Sequence, residues 1–243
     1  MEALIVTGAS RGLGSHLIDQ AKHQYQVRIG LSRGDHYEGP AEETATSKIR
    51  VDLSNRKEVE ATAAALTFGL KEYKALSRIT LIHNAGTLEP VKTIVHTSGL
   101  VLEENIGINL LAPMILTARI VSFGKENGID VDVLFISSGA AQHPLSGLSA
   151  YSTTKAGLEM FARCLSKEEP EVKVLTINPG TMDTHMQDRM KSVDEADCPD
   201  VQLFRDFRAA GKLVAPSIVA AKIIKLIAAR NWESGTLVDV RSL

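Results

Sequence analysis

The sequence contains few cysteines, little net charge and no linker-like stretch. Its two cysteines, Cys164 and Cys198, are too few and too irregularly placed for a disulfide framework or a zinc site, and they suit a reducing compartment. The net charge of -2 over 243 residues gives no sign of a nucleic-acid footprint. We therefore expect no bound metal and no nucleic-acid partner, and we expect a small neutral ligand or a cofactor.

The N-terminus lacks the features of a leader or an anchor. MEALIVTGAS runs directly into an apolar stretch, without a basic segment or a long hydrophobic run before it. Hydrophobic residues make up 44% of the chain and charged residues 23%, which is ordinary for a globular domain. We expect no signal peptide and no membrane anchor, and we expect the protein to be cytoplasmic.

Short apolar runs alternate with amphipathic stretches along the whole chain. Most runs are nearly continuous in Val, Ile and Leu, which is typical of strands buried on both faces of a parallel sheet. This alternation predicts one α/β domain over residues 1–243, a Rossmann-type doubly wound parallel sheet of about seven strands with helices on both faces. The candidate strands are 3–7, 26–32, 48–53, 78–83, 131–138, 172–179 and 236–240, and the candidate helices are 12–24, 55–76, 103–124, 151–168 and 217–230.

One irregular insertion, at about 180–214, follows the sixth candidate strand. It is rich in charge and contains Met182, Met186 and Met190. Ligands of such sheets bind outside the carboxyl ends of the strands, so we interpret this insertion as a substrate lid. Its methionines either line a pliable apolar pocket or simply pack the lid, and the sequence leaves both open.

A glycine-rich turn, TGASRGLG at 7–14, follows the first candidate strand. Between a strand and a helix, such a turn presents backbone N–H groups and the positive end of the helix to a pyrophosphate. The spacing of Gly8, Gly12 and Gly14 differs from the usual G-x-G-x-x-G fingerprint. The alternative is a tight turn that needs glycine for structural reasons, but its place in the alternation favours dinucleotide binding.

The end of the second strand bears on which dinucleotide binds. NAD-binding units place an acidic residue there, whereas an Arg accommodates a 2′-phosphate. This chain has Ser32 and Arg33, with no carboxylate before Asp35, and Arg11 lies in the glycine turn. NADP is therefore predicted, although both arginines have the alternative interpretation of solvated surface residues.

Tyr151 and Lys155 stand one helical turn apart, after the irregular stretch SGAAQHPLSGLSA. Residues at i and i+4 share a helix face, so the two side chains are able to act together. A neighbouring ammonium favours a phenolate, so we expect Lys155 to lower the pKa of Tyr151. Ser138, at the end of the fifth strand, would hold a carbonyl oxygen beside the phenol. Without other motifs, a Tyr and a Lys at this spacing usually have no function: the Tyr is an aromatic residue at the start of a helix, and the Lys is exposed to solvent.

The combination of motifs carries a family resemblance. The motifs are TGASRGLG, NAG at 84–86, Asn109 within GINLLAP, the set Ser138, Tyr151 and Lys155, and NPG at 178–180. Together they resemble a classical short-chain dehydrogenase/reductase over nearly the whole chain, in that family's order and spacing. His83 departs from the family, which commonly has an Asn there, and we interpret it as a core or strand-end histidine.

The resemblance implies a role for each matching residue. Tyr151 would donate the proton to a substrate carbonyl, Lys155 would bond the nicotinamide ribose, and Ser138 would orient the carbonyl. Asn109 would hold a water that links Lys155 to solvent. The implied NADP contacts are Gly8, Ser10, Arg11, Gly12, Leu13, Gly14, Ser32, Arg33, Asp52, Leu53, Asn84, Ala85, Gly86, Tyr151, Lys155, Pro179, Gly180, Met182 and Thr184.

Within the family, the C-terminal half is similar to the sepiapterin reductases and their bacterial relatives that reduce benzil and other diketones. The similar pieces are INLLAPMILT, DTHMQ, GKLV and SGTLVDV. The resemblance implies that Asp239 anchors a pterin amino group, but the alternative is an Asp bound to backbone or to Arg241. Candidate substrate contacts are Leu145, Met186 and Asp239, with Gln142, His143 and Pro144 in the loop before Tyr151.

The leading hypothesis is an NADPH-dependent reductase of a ketone, a vicinal diketone or a pterin side-chain carbonyl. Alternatives are a 3-ketoacyl-acyl-carrier-protein reductase, which we expect to show a basic patch, and a non-catalytic NADP sensor. A lyase or epimerase of the extended branch would have another glycine spacing and a longer C-terminal domain. By resemblance, a homodimer or homotetramer is expected to form through 103–124 and 151–168.

Overall fold

The computed structural model describes residues 1–34 and 46–243, and within them a parallel sheet of seven strands forms the centre of the molecule. The strands lie in the order β3-β2-β1-β4-β5-β6-β7. The direction of winding reverses between β1 and β4, which is where such sheets open a ligand crevice. The predicted fold is confirmed, with strands β1 Glu2–Thr7, β2 Val27–Ser32, β3 Thr46–Arg50, β4 Arg78–His83, β5 Asp130–Ile136, β6 Lys173–Asn178 and β7 Thr236–Asp239.

Helices cover both faces of the sheet. Asn55 caps the start of α2 by accepting bonds from the amides of Lys57 and Glu58, and Gly128 ends α4 in the left-handed conformation. The described α-helices are α1 Gly12–Gln20, α2 Arg56–Leu70, α3 Gly99–Ile106, α4 Ala112–Asn127, α5 Ser149–Glu168, α6 His185–Lys191, α7 Val201–Ala209 and α8 Pro216–Ala229. A π-helical turn, Gly107–Leu111, joins α3 to α4.

The alternation of side chains along each strand builds two separate core layers. In β1, Ala3 and Ile5 face the layer that contains α2, α4 and α5, whereas Leu4 and Val6 face the layer that contains α1 and α8. All four are fully buried. Because the central strands are buried on both faces, they show the continuous apolar runs that predicted them.

Several predicted bounds were wrong, each for a local reason. The fifth strand ends at Ile136 rather than 138, because Ser138 leaves the sheet and caps the 3-10 turn Gly139–Ala141. The third strand runs from Thr46 to Arg50 rather than over 48–53, since the chain turns toward the Asn55 cap of α2. The predicted helix 103–124 is longer and contains the π-helical turn, and 55–76 ends as a helix at Leu70.

The segment 180–214 contains two helices, α6 and α7, and its ends are tied together. Met182 and Val214 form an isolated parallel bridge, in which the Val214 amide donates to Thr181 and the Asp183 amide donates to Val214, each at 3.0 Å. Between the two ends of this bridge, the segment lines the cleft at the carboxyl ends of the strands. Its buried residues Met190, Val193 and Val201 form a third apolar cluster together with Tyr151.

One described helical stretch, Gly99–Asn127, is long and apolar enough to cross a membrane by length and composition alone. Its most apolar window has a mean hydropathy of 1.7 and is 56% buried. The stretch supplies Leu116 and Ile120 to the core, which is the packing of an internal helix. It therefore gives only weak support for a membrane span.

Candidate active site

Ser138, Tyr151 and Lys155 meet where β5 ends. Tyr151 and Lys155 occupy the first two turns of α5 and are buried, with 7% and 3% exposure. The Nζ of Lys155 donates to the carbonyl oxygen of Ile136 at 2.8 Å and lies 5.8 Å from the centre of the Tyr151 ring. The side chain of Ser138 accepts from the Ala140 amide at 3.2 Å and lines the same pocket as Tyr151 and Lys155. The fold thus brings the three predicted groups together.

Burial controls the protonation of this pair. It raises the pKa of Tyr151, and the polar side chain of Ser138 only partly opposes that effect. Burial also lowers the pKa of Lys155 to about 8, while the nearby charge of Glu159 raises it. The expectation of a lowered pKa for Tyr151 was wrong for this structure: loss of water around the phenol raises that pKa, and the Lys155 ammonium donates to a backbone carbonyl.

Asn109 lies in the π-helical turn and is fully buried. Its amide clamps Thr87 in the loop after β4: Nδ2 donates to the Thr87 carbonyl at 2.9 Å, and Oδ1 accepts from the Thr87 amide at 2.8 Å. Nδ2 also lies 3.2 Å from the hydroxyl of Thr154, the neighbour of Lys155. Asn109 therefore joins three elements behind the Tyr151 and Lys155 pair, and π-turns of this kind are frequent at functional sites.

The glycine turn is packed against the loop after β4, with no room for a side chain at Gly8 or Gly14. A Cβ on Gly14 would lie 2.2 Å from the Gly8 carbonyl oxygen, and one on Gly8, whose φ is +67°, would lie 2.8 Å from the Ala85 Cα. Asn84 donates to the Thr7 and Gly8 carbonyls at 3.0 and 3.1 Å. Among residues 1–34 and 46–243, no side chain caps the N-terminus of α1, which leaves its first amides available to an anion.

A continuous cleft of about 1330 Å³ joins the glycine turn to the Tyr151 and Lys155 pair at the carboxyl ends of the strands. Typical small-molecule pockets hold roughly 300–1,000 Å³, so this cleft has room for a dinucleotide and a second ligand. Most predicted contacts line it. The exceptions are Gly14, Asp52, Asn109 and Pro144, which fall outside its lining.

Comparison with known proteins agrees with this geometry. Residues 2–195 match the family model for short chain dehydrogenase. The benzil reductase ((S)-benzoin forming) of Bacillus cereus is 35% identical over 248 residues, covering 99% of both chains, and the sepiapterin reductase of Bos taurus is 30% identical, covering 97% of this chain and 92% of its own. The crystal structure of the KRED1-Pglu enzyme superposes with a TM-score of 0.84 at 27% identity, covering 98% of this chain and all of its own.

The chain belongs to the short-chain dehydrogenase/reductase family. It is thus an oxidoreductase that interconverts CH–OH and C=O groups, and its family uses nicotinamide cofactors. The predicted resemblance to the benzil and sepiapterin reductases is confirmed by their sequence identity.

The two arginines proposed for the cofactor line the far end of the cleft. Arg11 lies at the start of α1, and Arg33 follows β2. The Nη1 of Arg33 is 3.9 Å from a carboxylate oxygen of Glu104, and both side chains are largely exposed, so this ion pair restrains Arg33 little. Asp35 lies outside the described residues.

The carboxylate of Asp52 binds a residue of its own loop. One oxygen of its carboxylate accepts from the Ser54 amide at 3.0 Å and from the Ser54 hydroxyl at 2.8 Å. The neighbours Val51 and Leu53 line the cleft instead. Val51 was missed at the sequence level because an apolar residue at a strand end gives no signal of ligand contact.

Asp239 lies in the cleft lining, but Arg241 binds it. The Arg241 Nε donates to both Asp239 oxygens, at 2.9 and 3.2 Å, and its Nη2 and backbone amide also donate to the carboxylate. Asn178 adds a further bond at 3.3 Å. These contacts hold the pKa of Asp239 below its usual range, chiefly through Arg241. The Asp239 carboxylate therefore forms an ion pair with Arg241 of the same chain.

His83 is buried at the end of β4. Its Nε2 lies 2.8 Å from the hydroxyl of Thr117, and its ring stacks on Phe135 with a centroid distance of 5.1 Å. Burial, helped by the charge of Lys155, lowers the pKa of His83 to about 3, so the ring is neutral. Its Nδ1 has no hydrogen-bond partner among the described residues.

The segment 180–214 contributes cleft residues that the sequence did not single out. Leu203, Phe204 and Phe207 of α7 line the cleft, and Leu203 and Phe207 remain 49% and 41% exposed. Their spacing along α7 was a usable signal, because residues at i and i+4 share a face. Arg189 of α6 reaches across the cleft to Glu89 at 2.6 Å.

Proposed function

We propose that the protein is an NADPH-dependent carbonyl reductase whose substrate is an apolar vicinal diketone. The observation that carries the proposal is the buried set of Ser138, Tyr151 and Lys155 in one cleft with the glycine turn. A binding protein that only senses a nucleotide needs the glycine turn but not a proton donor, so this set favours an enzyme over a sensor.

The cleft suits a dinucleotide cofactor at its glycine-turn end. The uncapped start of α1 leaves backbone amides to face a pyrophosphate, and Gly8 and Gly14 allow the close packing that holds the turn in place. Arg11 and Arg33 would bind the 2′-phosphate, and Lys155 would bond the nicotinamide ribose. When bound, the reduced nicotinamide supplies the hydride.

The side chains at the other end supply the proton. Because burial raises the pKa of Tyr151, the phenol keeps its proton at neutral pH and is in the form that a donor requires. Ser138, which lines the cleft together with that phenol, would hold the carbonyl oxygen beside it. Tyr151 then donates its proton to the oxygen as the carbonyl carbon is reduced.

The lining of the substrate end favours a diketone over a pterin. Leu145, Met186 and Phe204 give it an apolar surface. The carboxylate of Asp239, which would have to bind a pterin amino group, is already bound by Arg241. The sequence identity also favours a diketone, because it is 35% with a benzil reductase and 30% with a sepiapterin reductase.

An acidic carrier protein has little to bind at the mouth of the cleft. The cations there are paired: Arg189 with Glu89, and Arg208 with both Asp183 and Asp188. No basic patch of the kind expected for a carrier-linked ketoacyl reductase is formed by these described residues. The pairing therefore favours a free small molecule as substrate.

A kinetic panel tests the proposal. NADPH oxidation should be measured with benzil, 1-phenyl-1,2-propanedione, sepiapterin and a 3-ketoacyl thioester. We expect the highest kcat/KM with the aryl diketones. Higher kcat/KM with sepiapterin or the thioester would overturn the substrate assignment, and turnover with none of them would overturn the reductase itself.

We also propose a cytoplasmic homodimer. Leu111 and Met114, from the π-helical turn and α4, and Met160 of α5 are large apolar side chains that remain exposed on neighbouring helices. Large apolar side chains exposed on adjoining elements favour an interaction surface there. Light scattering should give twice the monomer mass, and Met160→Glu should reduce it toward 26.3 kDa; a monomeric wild-type protein would contradict the proposal.

A further inference from the structure

Residues at and just after the end of β5 contact one face of α5. The Ile136 carbonyl accepts from Lys155 at 2.8 Å, the Ser137 hydroxyl donates to Glu159 at 2.6 Å, and the Ser138 side chain partly opposes the rise in the pKa of Tyr151. Tyr151, Lys155 and Glu159 thus form one stripe on the helix, at i, i+4 and i+8. Glu159 is its only member without a role in the reaction described above.

Lys155 is a buried ammonium with little to balance its charge. It is 3% exposed, and its Nζ donates a hydrogen bond to the neutral carbonyl of Ile136. Burying a charge without a partner is strongly unfavourable, and an opposite charge nearby offsets that cost.

The other polar groups around Lys155, on its own helix and on neighbouring elements, do not balance its charge. His83 on β4 is neutral, and Tyr151 on α5 keeps its proton. Asn109 and Ser137 do not titrate near neutral pH. Among the described residues, Glu159 is the carboxylate whose charge raises the pKa of Lys155.

We propose that Glu159 is a positioning residue for Lys155: held by Ser137, its carboxylate supplies the counter-charge that keeps the buried lysine an ammonium at the end of β5. The value of this device to catalysis rests on the proposed function, because there the ammonium serves the cofactor and the proton donor. The electrostatic coupling itself is a property of the free protein.

The coupling has a defined pH window in the free protein. The folded-state pKa of Lys155, about 8, lies below the ordinary value of 10.5, so charging the lysine opposes folding, and Glu159 reduces that opposition. Above the folded-state pKa the lysine is neutral and the contribution of Glu159 disappears. Loss of the hydrogen bond between Ser137 and Glu159 alone would change stability by the same amount at every pH in this range.

Denaturant unfolding of the full chain without cofactor, at about pH 6.5 and about pH 9.5, tests the coupling. Glu159→Gln keeps an oxygen that accepts from Ser137 but removes the charge. We expect its unfolding constant, relative to wild type, to be at least about threefold larger at the lower pH than at the higher one, which corresponds to half a pKa unit. Equal ratios at the two pH values would overturn the proposal.

Two matched variants separate charge from structure. Ser137→Ala removes the hydrogen bond but keeps both charges, and we expect its stability loss to be the same at both pH values. Glu159→Asp keeps the charge on a shorter side chain, and we expect it to follow wild type in pH dependence even where Glu159→Gln fails to fold. Loss of that dependence in Glu159→Asp would contradict the counter-charge role.

The pH profile of kcat/KM tests the consequence for catalysis. In Glu159→Gln we expect the alkaline limb to move to lower pH by about half a unit, because the lysine loses its proton earlier. A uniformly lower profile with an unmoved limb would show a structural role only and overturn the positioning role. If wild type reduces no carbonyl compound, the proposed function fails, whereas the unfolding measurement still decides the coupling.

Discussion

The two ends of the cleft are built in different ways. At the cofactor end, the backbone of Gly8 packs against that of Gly14 and the Asn84 side chain donates to the Gly8 carbonyl, with no space for a Cβ at either glycine. At the substrate end, the wall consists of side chains of the segment 180–214, held partly by the exposed Arg189 and Glu89 pair. The cofactor end therefore tolerates almost no substitution at these glycines, whereas the side chains at the substrate end are able to differ between enzymes with different substrates.

Tyr151→Phe should separate chemistry from cofactor binding most completely. Removing the hydroxyl removes the proton donor, so we expect kcat/KM for diketone reduction to fall by about 10²–10⁴. NADPH affinity, measured by fluorescence titration, should change little because the cofactor end is untouched. Comparable turnover in this variant would show that another group donates the proton.

Gly14→Ala should disrupt the cofactor end. The added Cβ would lie 2.2 Å from the Gly8 carbonyl oxygen, so the turn must shift, at a cost of about 3 kcal/mol of stability and with loss of NADPH binding. Gly69→Ala is the matched control, because a Cβ there meets no atom within 4 Å and the helix gains about 0.5–1 kcal/mol. Equal behaviour of the two variants would refute the steric explanation.

Arg33→Ala should change the choice of cofactor without damaging the site. Loss of a charge-assisted hydrogen bond of about 1.5–3 kcal/mol would raise the KM for NADPH roughly tenfold or more, while the KM for NADH stays near its original value. Arg56→Ala on α2 serves as a surface control. A similar rise for both cofactors would remove the support for NADP preference.

Arg189→Ala should have the smallest effect, confined to the substrate end. Both members of the pair are nearly half exposed, so we expect a stability loss below about 1 kcal/mol. We expect the KM for the diketone to rise a few-fold, because the pair ties α6 to the loop after β4. Lys191→Ala, whose partner Asp188 lies within α6, should leave that KM unchanged. Equal effects of the two variants would show that the bridge across the cleft has no special role.

The same contrast explains how much of the molecule could be predicted from the sequence. The sheet, the glycine turn and the Tyr151 and Lys155 pair follow from apolar runs, glycine spacing and helical periodicity, and these signals are local. The family resemblance supplied the wider set of cofactor contacts. The contact between Ser137 and Glu159 was not foreseen, because it joins residues 22 positions apart on different elements.

Protonation and charge pairing were harder to predict than position. The sequence places Lys155 beside Tyr151, but only the structure shows that burial dominates and raises the pKa of the phenol. Asp239 illustrates the same difficulty, since its partner Arg241 was one of two alternatives at the sequence level. Burial and pairing depend on neighbours from several elements, which a linear pattern does not specify.

The most direct test of the central claim follows the hydride itself. NADPH carrying deuterium on the transferred position of the nicotinamide should be incubated with benzil and the enzyme, and the hydroxyketone product should be analysed by mass spectrometry and NMR. The proposed function requires one deuterium on the new carbinol carbon for each NADPH consumed. Binding of NADPH without transfer of deuterium to the product would contradict it and indicate a binding protein.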